Sequence, residues 1–329
     1  MVKDYSTFPY SAPAKMRAAR HVKTSRALAS ILFTGIAIVG KLYLLSALNR
    51  GEKRAPVISE LTPHRIANQR PTAERLPSLK VMTLNAAHGR KDGSHQLLQK
   101  RAAIKANLND IALILKREKP DIVALQETDG PSAWSGGFDH VRHLAHRAEY
   151  PFSVRGEHVK GKRNVYGTAL LSALPLHTPV SIRFSPSPPT FSKGAVISTI
   201  QWPGSLDLSI DVISVHLDFA RKSIRKKQAR ELVDRLKAQG RPLIVMGDFN
   251  CELTSSETTL PFLTDKLGLE AYRPEAKDLH TYPLSGRRLD WILTSPELEF
   301  SNYSVFHDTL SDHLGVVAEL RLADRGLNV

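Results

Sequence analysis

Leu243-Ile244-Val245-Met246-Gly247-Asp248-Phe249-Asn250 is the stretch whose reading decides the fold. An apolar run of strand length passes straight into Gly-Asp-Phe-Asn. So short a run, closed by a glycine, reads as a buried strand. Its end presents a carboxylate, Asp248, and a carboxamide, Asn250, to one small space. An acid and an amide at a strand end suit phosphate and metal chemistry better than packing. Asp and Asn also cap turns, so the tetrapeptide alone assigns no function.

On both sides the chain alternates strand-like and helical runs. Val81 to Leu84 is a short strand running into Asn85, and Ile122 to Leu125 is another running into Gln126-Glu127. Between them, residues 94–119 carry Leu97, Leu98, Ile104, Leu108, Ile111 and Leu115 at helical spacing, with Pro120 beyond the end. Residues 138–150 read as a short helix. The rhythm then changes: 168–171, 195–202 and 208–217 are strands joined by short turns, which predicts antiparallel pairing. Residues 223–239 form a basic helix closed by Gly240, and Ser255 or Ser256 caps a further helical stretch. Strands at 289–293 and 316–322 complete the series. Strands linked first by helices and then by turns predict an α/β (α+β) fold of two packed mixed sheets with helices outside.

Six strand ends carry groups that a packed core does not select: Asn85, Glu127, His216, Asp248 with Asn250, Asp290, and Asp312 with His313. Each singly has a bland explanation, a turn cap or a satisfied core histidine. Their recurrence at one kind of position is what points to a site. Glu127, with Asn85 or Asp312 beside it, offers hard oxygen ligands suited to Mg²⁺ or Mn²⁺. Asp248 can accept a proton from water while Asn250 positions the water or the phosphate. His216 and His313 can donate to phosphate oxygens, with Asp290 as a partner that orients a histidine. Together these groups describe metal-assisted hydrolysis of a phosphoester.

The 329 residues are 42% hydrophobic and 24% charged, ample for one large core. The net charge of +14 favours polyanions: nucleic acid, anionic headgroups or phosphorylated metabolites. The single cysteine, Cys251, excludes an intrachain disulfide and stands outside any zinc-binding cluster. Residues 1–26 are basic. Residues 27–48 are apolar over about the ~20 residues that span a bilayer, interrupted by Lys41. A cleaved signal peptide and a core helix compete with a transmembrane anchor here. The long basic leader and the lack of a small-residue cleavage site favour the anchor, with the N-terminus cytoplasmic and the remainder periplasmic or lumenal. Residues 49–79, rich in proline, read as a linker, residues 80–323 as the catalytic domain and 324–329 as a tail.

The motifs Thr83-Leu84-Asn85, Leu125-Gln126-Glu127, Gly167-Thr168-Ala169-Leu170-Leu171-Ser172, Ser214-Val215-His216, Gly247-Asp248-Phe249-Asn250, Thr281-Tyr282-Pro283, Arg288-Leu289-Asp290-Trp291-Ile292-Leu293 and Ser311-Asp312-His313 resemble, in order and spacing, the endonuclease/exonuclease/phosphatase superfamily. The resemblance runs from about Lys80 to Leu322. It implies a four-layered α/β/β/α sandwich with the site at one edge. It further implies a metal held by Glu127 with Asn85 and Asp312 nearby, water and phosphate handled by Asp248 and Asn250, and scissile-phosphate contacts from His216 and from His313 paired with Asp290. Two departures stand out: Thr168 where the family often has Asn, and Gly315 where many members have Pro. The inositol 5-phosphatase patterns are absent.

Three functional readings follow: a membrane-anchored phosphodiesterase acting on nucleic acid, the same chemistry on a phospholipid headgroup, and a non-catalytic binding module. Arg221 to Arg230 (RKSIRKKQAR) either steers a polyanion toward the site or is a solvated helix face. Trp134 either lines the substrate cleft or packs. No obligate protein partner is evident.

Overall fold

The computed structural model describes residues 57–60, 62, 64–65, 78–161, 163–205 and 207–324. The chain divides into Met1–Glu52 and Lys53–Val329, and the described residues belong to the second unit. The apolar stretch 27–48 lies outside them. Among the described residues no helix is long and apolar enough to cross a membrane.

Two mixed sheets form the centre. One runs in the order Val57–Glu60 (β1), His177–Arg183 (β8), Gly194–Gln201 (β9), Ser209–His216 (β10), Leu243–Asp248 (β11), Asp290–Thr294 (β13) and Glu270–Ala271 (β12). The other runs Leu298–Phe306 (β14), Gly315–Leu322 (β15), Ser78–Asn85 (β3), Ile122–Asp129 (β4), Val165–Ser172 (β7), Phe152–Arg155 (β5) and His64–Arg65 (β2), with Val159–Lys160 (β6) also pairing β7. Pairs β3–β4 and β10–β11 are parallel, and the remaining pairs are antiparallel.

Side-chain alternation explains why these strands are apolar throughout. Ile244 and Met246 join Leu79, Val81 and Ile292 in the core between the sheets. Leu243 and Val245 pack outward with Leu232, Val233 and Leu263, beneath the helices Lys222–Leu236 (α3) and Thr259–Leu267 (α4). On the second sheet Met82, Leu84 and Val123 pack outward with Ile104, Leu108 and Val141, from Arg101–Glu118 (α1) and His140–Arg147 (α2). Strands covered on both faces need no polar alternation. The result is the expected sandwich of two mixed sheets with helices on the outer faces.

Several expectations change in detail. Inside the stretch read as a linker, β1 pairs with β8 and β2 with β5. Helix α1 starts at Arg101 rather than at residue 94. Gln96–Leu98 is a separate 3₁₀ turn, started by the His95 side chain accepting from Leu97 N–H, so Leu97 and Leu98 stand exposed. Helix α3 stops at Leu236, short of Gly240. Helix α4 follows Thr258, and Ser255 instead accepts the Glu257 N–H in a turn. Strands β5, β8 and β14 escape periodicity because each mixes polar and apolar residues at half-covered positions. Gly315 has a packing reason: a Cβ there would lie 1.8 Å from Cζ of Phe306.

Candidate active site

The alternation that builds the core also builds the site. Counting by twos from Ile244 and Met246, Asp248 faces the opposite sheet. Counting from Leu79 and Val81, Asn85 faces back, and its Nδ2 donates to Asp248 Oδ2 at 3.0 Å. Within their sheet, Asp248 is flanked by its register partners His216 on β10 and Asp290 on β13. Four of the expected site residues thus meet where four strands end on one edge. Gly247 makes this possible: its φ is 149° and a Cβ there would sit 1.9 Å from Val215 O.

Glu127 arrives differently. Between Leu125 and Thr128 the β4–β7 register shifts, and Glu127 adopts φ 50°. A bulge with a left-handed residue re-aims the side chain, here into the cavity that Asn85, His216, Asp248, Asn250 and His313 also line. That cavity measures about 360 Å³.

His313 and Asp290 form the expected couple, with Nδ1 to Oδ2 at 2.8 Å. Burial alone would keep the imidazole neutral. The Asp290 and Asp248 carboxylates outweigh it and raise the His313 pKa to about 10. Asp248 is raised to about 7, first by burial and then by Asp290, against the pull of His313 and of the Asn85 hydrogen bond. His216 is held well below its ordinary value by burial and by Lys193, so it is neutral, with Nε2 at 3.4 Å from Asp248 Oδ2. Asn250, at φ 54°, donates its backbone N–H to Asp248 Oδ1 at 2.9 Å and its side-chain amide to Leu217 O at 3.1 Å. It braces the carboxylate and keeps one amide hydrogen for the cavity.

Asp312 also lines the cavity, but its Oδ2 accepts from Arg90 Nη2 at 2.6 Å and its Oδ1 from Ser311 Oγ at 3.1 Å. Thr168 shares the inward face of Leu170 on β7 and takes part in a buried pair with His158 Nε2 at 3.0 Å. Trp134 is half-buried; its Nε1 donates to Asp129 at 2.6 Å and its ring stacks on Tyr166. The basic helix is partly structural: Arg225 grips Glu257 with both arms at 2.7 and 2.6 Å, while Lys222, Lys227 and Arg230 are exposed.

Sequence reasoning missed Lys193, His88 and Asp129. Lys193 is buried with Nζ 3.0 Å from His216 Nε2 and 3.7 Å from Glu127 Oε1. His88 bonds Asp129 at 2.6 Å and approaches Glu127 Oε2 to 3.5 Å. Burial raises the Glu127 pKa, but His88 first and then Lys193 reverse this and hold it below the usual range. His88 follows the Asn85 strand end in Asn-Ala-Ala-His, a signal that was readable. Lys193 offers none, because only the pairing of β9 with β10 brings it near.

Two donor sets could take a cation. Asp248, Asp290 and His313 place ligand atoms within 4.8 Å of one another. That set fits poorly, because a histidine charged at neutral pH and bonded to Asp290 has no free nitrogen. Glu127 fits well: it is ionised, it faces the cavity, and its nearest cationic nitrogens stand at 3.5 and 3.7 Å. Asn85 and Asp312 supply further oxygens on the same cavity.

The family model for the endonuclease/exonuclease/phosphatase family matches residues 82–313, from the strand bearing Asn85 to the final histidine. This chain belongs to the endonuclease/exonuclease/phosphatase family. Members are hydrolases of phosphoester bonds, typically with a divalent metal. Among solved structures, an endonuclease/exonuclease/phosphatase from Beutenbergia cavernae is 22% identical with TM-score 0.61, over 75% of this chain and 72% of that one. The human Nocturnin catalytic domain with bound sulfate is 18% identical with TM-score 0.57, over 80% and 98%. A mannosyl-6-phosphatase from Bacteroides thetaiotaomicron is 17% identical with TM-score 0.55, over 74% and 99%. At these identities the likeness is one of fold. No curated protein matches. In this chain Asn85, His216, Asp248 and Asp290 occupy strand ends and Glu127 a bulge, so the backbone itself holds the constellation.

Proposed function

We propose that this endonuclease/exonuclease/phosphatase protein is a Mg²⁺-dependent phosphodiesterase, anchored to a membrane by residues 27–48. The observation that carries the reading is the buried Asp248 carboxylate, its pKa raised by burial, held by hydrogen bonds from Asn85 and Asn250 between His216 and the Asp290-paired His313. A general base works best when its pKa lies near the operating pH.

Asp248 accepts a proton from the attacking water, braced by Asn85 Nδ2–H and Asn250 N–H. The His313 imidazolium, oriented by Asp290, donates to a phosphoryl oxygen as charge develops. Neutral His216 and the free amide hydrogen of Asn250 hold a second oxygen. Glu127, Asn85 and Asp312 would hold a divalent ion, which would supply neutralisation of the phosphate charge. Attack on one side of phosphorus and departure on the other, with the leaving oxygen taking its proton from solvent, gives a monoester and an alcohol.

The test is hydrolysis of bis(p-nitrophenyl) phosphate by the purified full chain with Mg²⁺ or Mn²⁺. Activity that EDTA abolishes and Asp248→Ala removes supports the reading. Absence of divalent-dependent hydrolysis of any phosphoester sinks it, and full activity in Asp248→Ala leaves only a binding module. The net charge of +14 suits a nucleic acid or an anionic lipid surface equally. The placement of the catalytic domain outside the cytoplasm is tested by reporter fusions at the C-terminus; a reporter active only in the cytoplasm refutes it.

A further inference from the structure

Seven large apolar side chains stand exposed among the described residues, and five of them surround the candidate active site. Phe219, 65% exposed, lines the cavity itself. Leu284, 87% exposed, sits between the cavity-lining residues Tyr282 and Ser285. Phe191, 38% exposed, lies edge-on to Trp134 at 6.1 Å. Trp134 in turn lies 5.2 Å from the ring of His88, the neighbour of Glu127. Leu97 and Leu98, 63% and 77% exposed, follow His95, whose ring is 6.3 Å from Trp134. The remaining two, Leu113 on α1 and Leu322 at the end of β15, are scattered, as single exposed leucines ordinarily are.

The loops that carry these groups are braced. Thr190, beside Phe191, donates to Asp218, beside Phe219. Arg221 ties the same loop to Ser187 O. Side chains held outward by such bonds are presented to something. Exposed basic residues accompany them: Lys100 after Leu98, Lys222 after Phe219, and Arg163, whose carbonyl accepts the Trp134 N–H. None of the three forms an ion pair among the described residues.

We propose that this rim seats on an anionic phospholipid surface, so that the phosphodiester delivered to Asp248 is a lipid headgroup. The proposal rests on the phosphodiesterase reading and names its substrate class. Nucleic acid recognition uses phosphate contacts and flat aromatic faces for bases. Three of the five rim groups are leucines, which have no such face. Apolar side chains interspersed with cations are instead the composition that enters the boundary between headgroup and acyl chain. Docking there places the mouth of the cavity at the depth of the phosphodiester.

Cys251 is the only cysteine and is buried, so Leu284→Cys provides one accessible thiol for an environment-sensitive fluorophore, with Leu113→Cys as the control. The labelled full chains are reconstituted in phosphatidylcholine–phosphatidylserine vesicles. The label at 284 is expected to shift to the blue and to be quenched by brominated acyl chains, and the label at 113 to do neither. In parallel, the double variant Leu97→Ser and Leu98→Ser is expected to hydrolyse vesicle phospholipid at least about tenfold more slowly and soluble bis(p-nitrophenyl) phosphate at the wild-type rate. Aqueous spectra at both positions, equal loss on both substrates, or shielding of the label at 284 by an oligonucleotide and not by lipid overturns the docking surface. Failure of the wild type to hydrolyse the soluble diester overturns the phosphodiesterase reading itself, whatever the labels report.

Discussion

Asp248 is the residue on which the chemistry turns. Its carboxylate is raised to about 7 because burial and Asp290 outweigh His313 and Asn85. Asp248→Asn keeps the shape and one of the two hydrogen bonds accepted from Asn85 and Asn250, but has no proton-accepting oxygen of comparable basicity. Hydrolysis is expected to fall by roughly a hundred- to ten-thousand-fold, with an unchanged circular dichroism spectrum. Glu127→Gln removes the ionised oxygen nearest the cavity. Mg²⁺ or Mn²⁺ affinity, read by isothermal titration calorimetry, is expected to weaken at least about tenfold. Unchanged affinity would place the ion elsewhere, on Asp248 and Asp290. At this scale the sequence was informative wherever alternation carries a polar group to a strand end, as at Asn85, His216, Asp248 and Asp290. It was silent about Lys193, whose buried ammonium depends on the pairing of two strands.

At the scale of elements, the β10–β11 junction and the β7–β9 neighbourhood decide stability. Gly247→Ala drives a methyl group into Val215 O. Substitution at a backbone position so crowded is expected to cost about 3 kcal/mol or more in denaturant unfolding, and to lower activity by displacing Asp248. His158 sits buried against Thr168, and its pKa is lowered to about 3 by burial, then by Lys193 and Arg183. Below its unfolded value of 6.5 the unfolded chain binds a proton that the folded chain refuses. Stability is therefore full above 6.5 and falls as pH drops toward 3. His158→Gln removes this dependence. The unfolding free energy of wild type relative to the variant is expected to fall by about 1.4 kcal/mol per pH unit below 6.5. Parallel stability curves would show that His158 is already protonated in the folded protein. The bulge at Glu127 was not legible: nothing in Leu-Gln-Glu-Thr announces an inserted residue, because the register of β4 is set by β7.

For the molecule as a whole, the edge strand β1 ties residues 57–60 to β8, although the prolines around it suggest a linker. A chain starting at residue 56 is expected to keep its thermal midpoint. One starting at residue 78 leaves β8 as a bare edge and is expected to melt at least about 2 °C lower and to aggregate more readily. Equal midpoints and solubility would remove β1 from the fold's stabilising elements. The sequence by itself determined the layered α/β architecture, since short apolar runs without polar alternation, joined first by helices and then by turns, read as strands covered on both sides. It also determined which of those strands end in acid, amide or imidazole. Only the tertiary structure decided that Glu127 turns into the cavity, that Lys193 and His88 surround it, and that Leu97, Leu98, Phe191, Phe219 and Leu284 share its rim. Those relations depend on which strands pair, in what register, and on how loops far apart in sequence close over one edge. They are long-range contacts, and local periodicity carries no record of them.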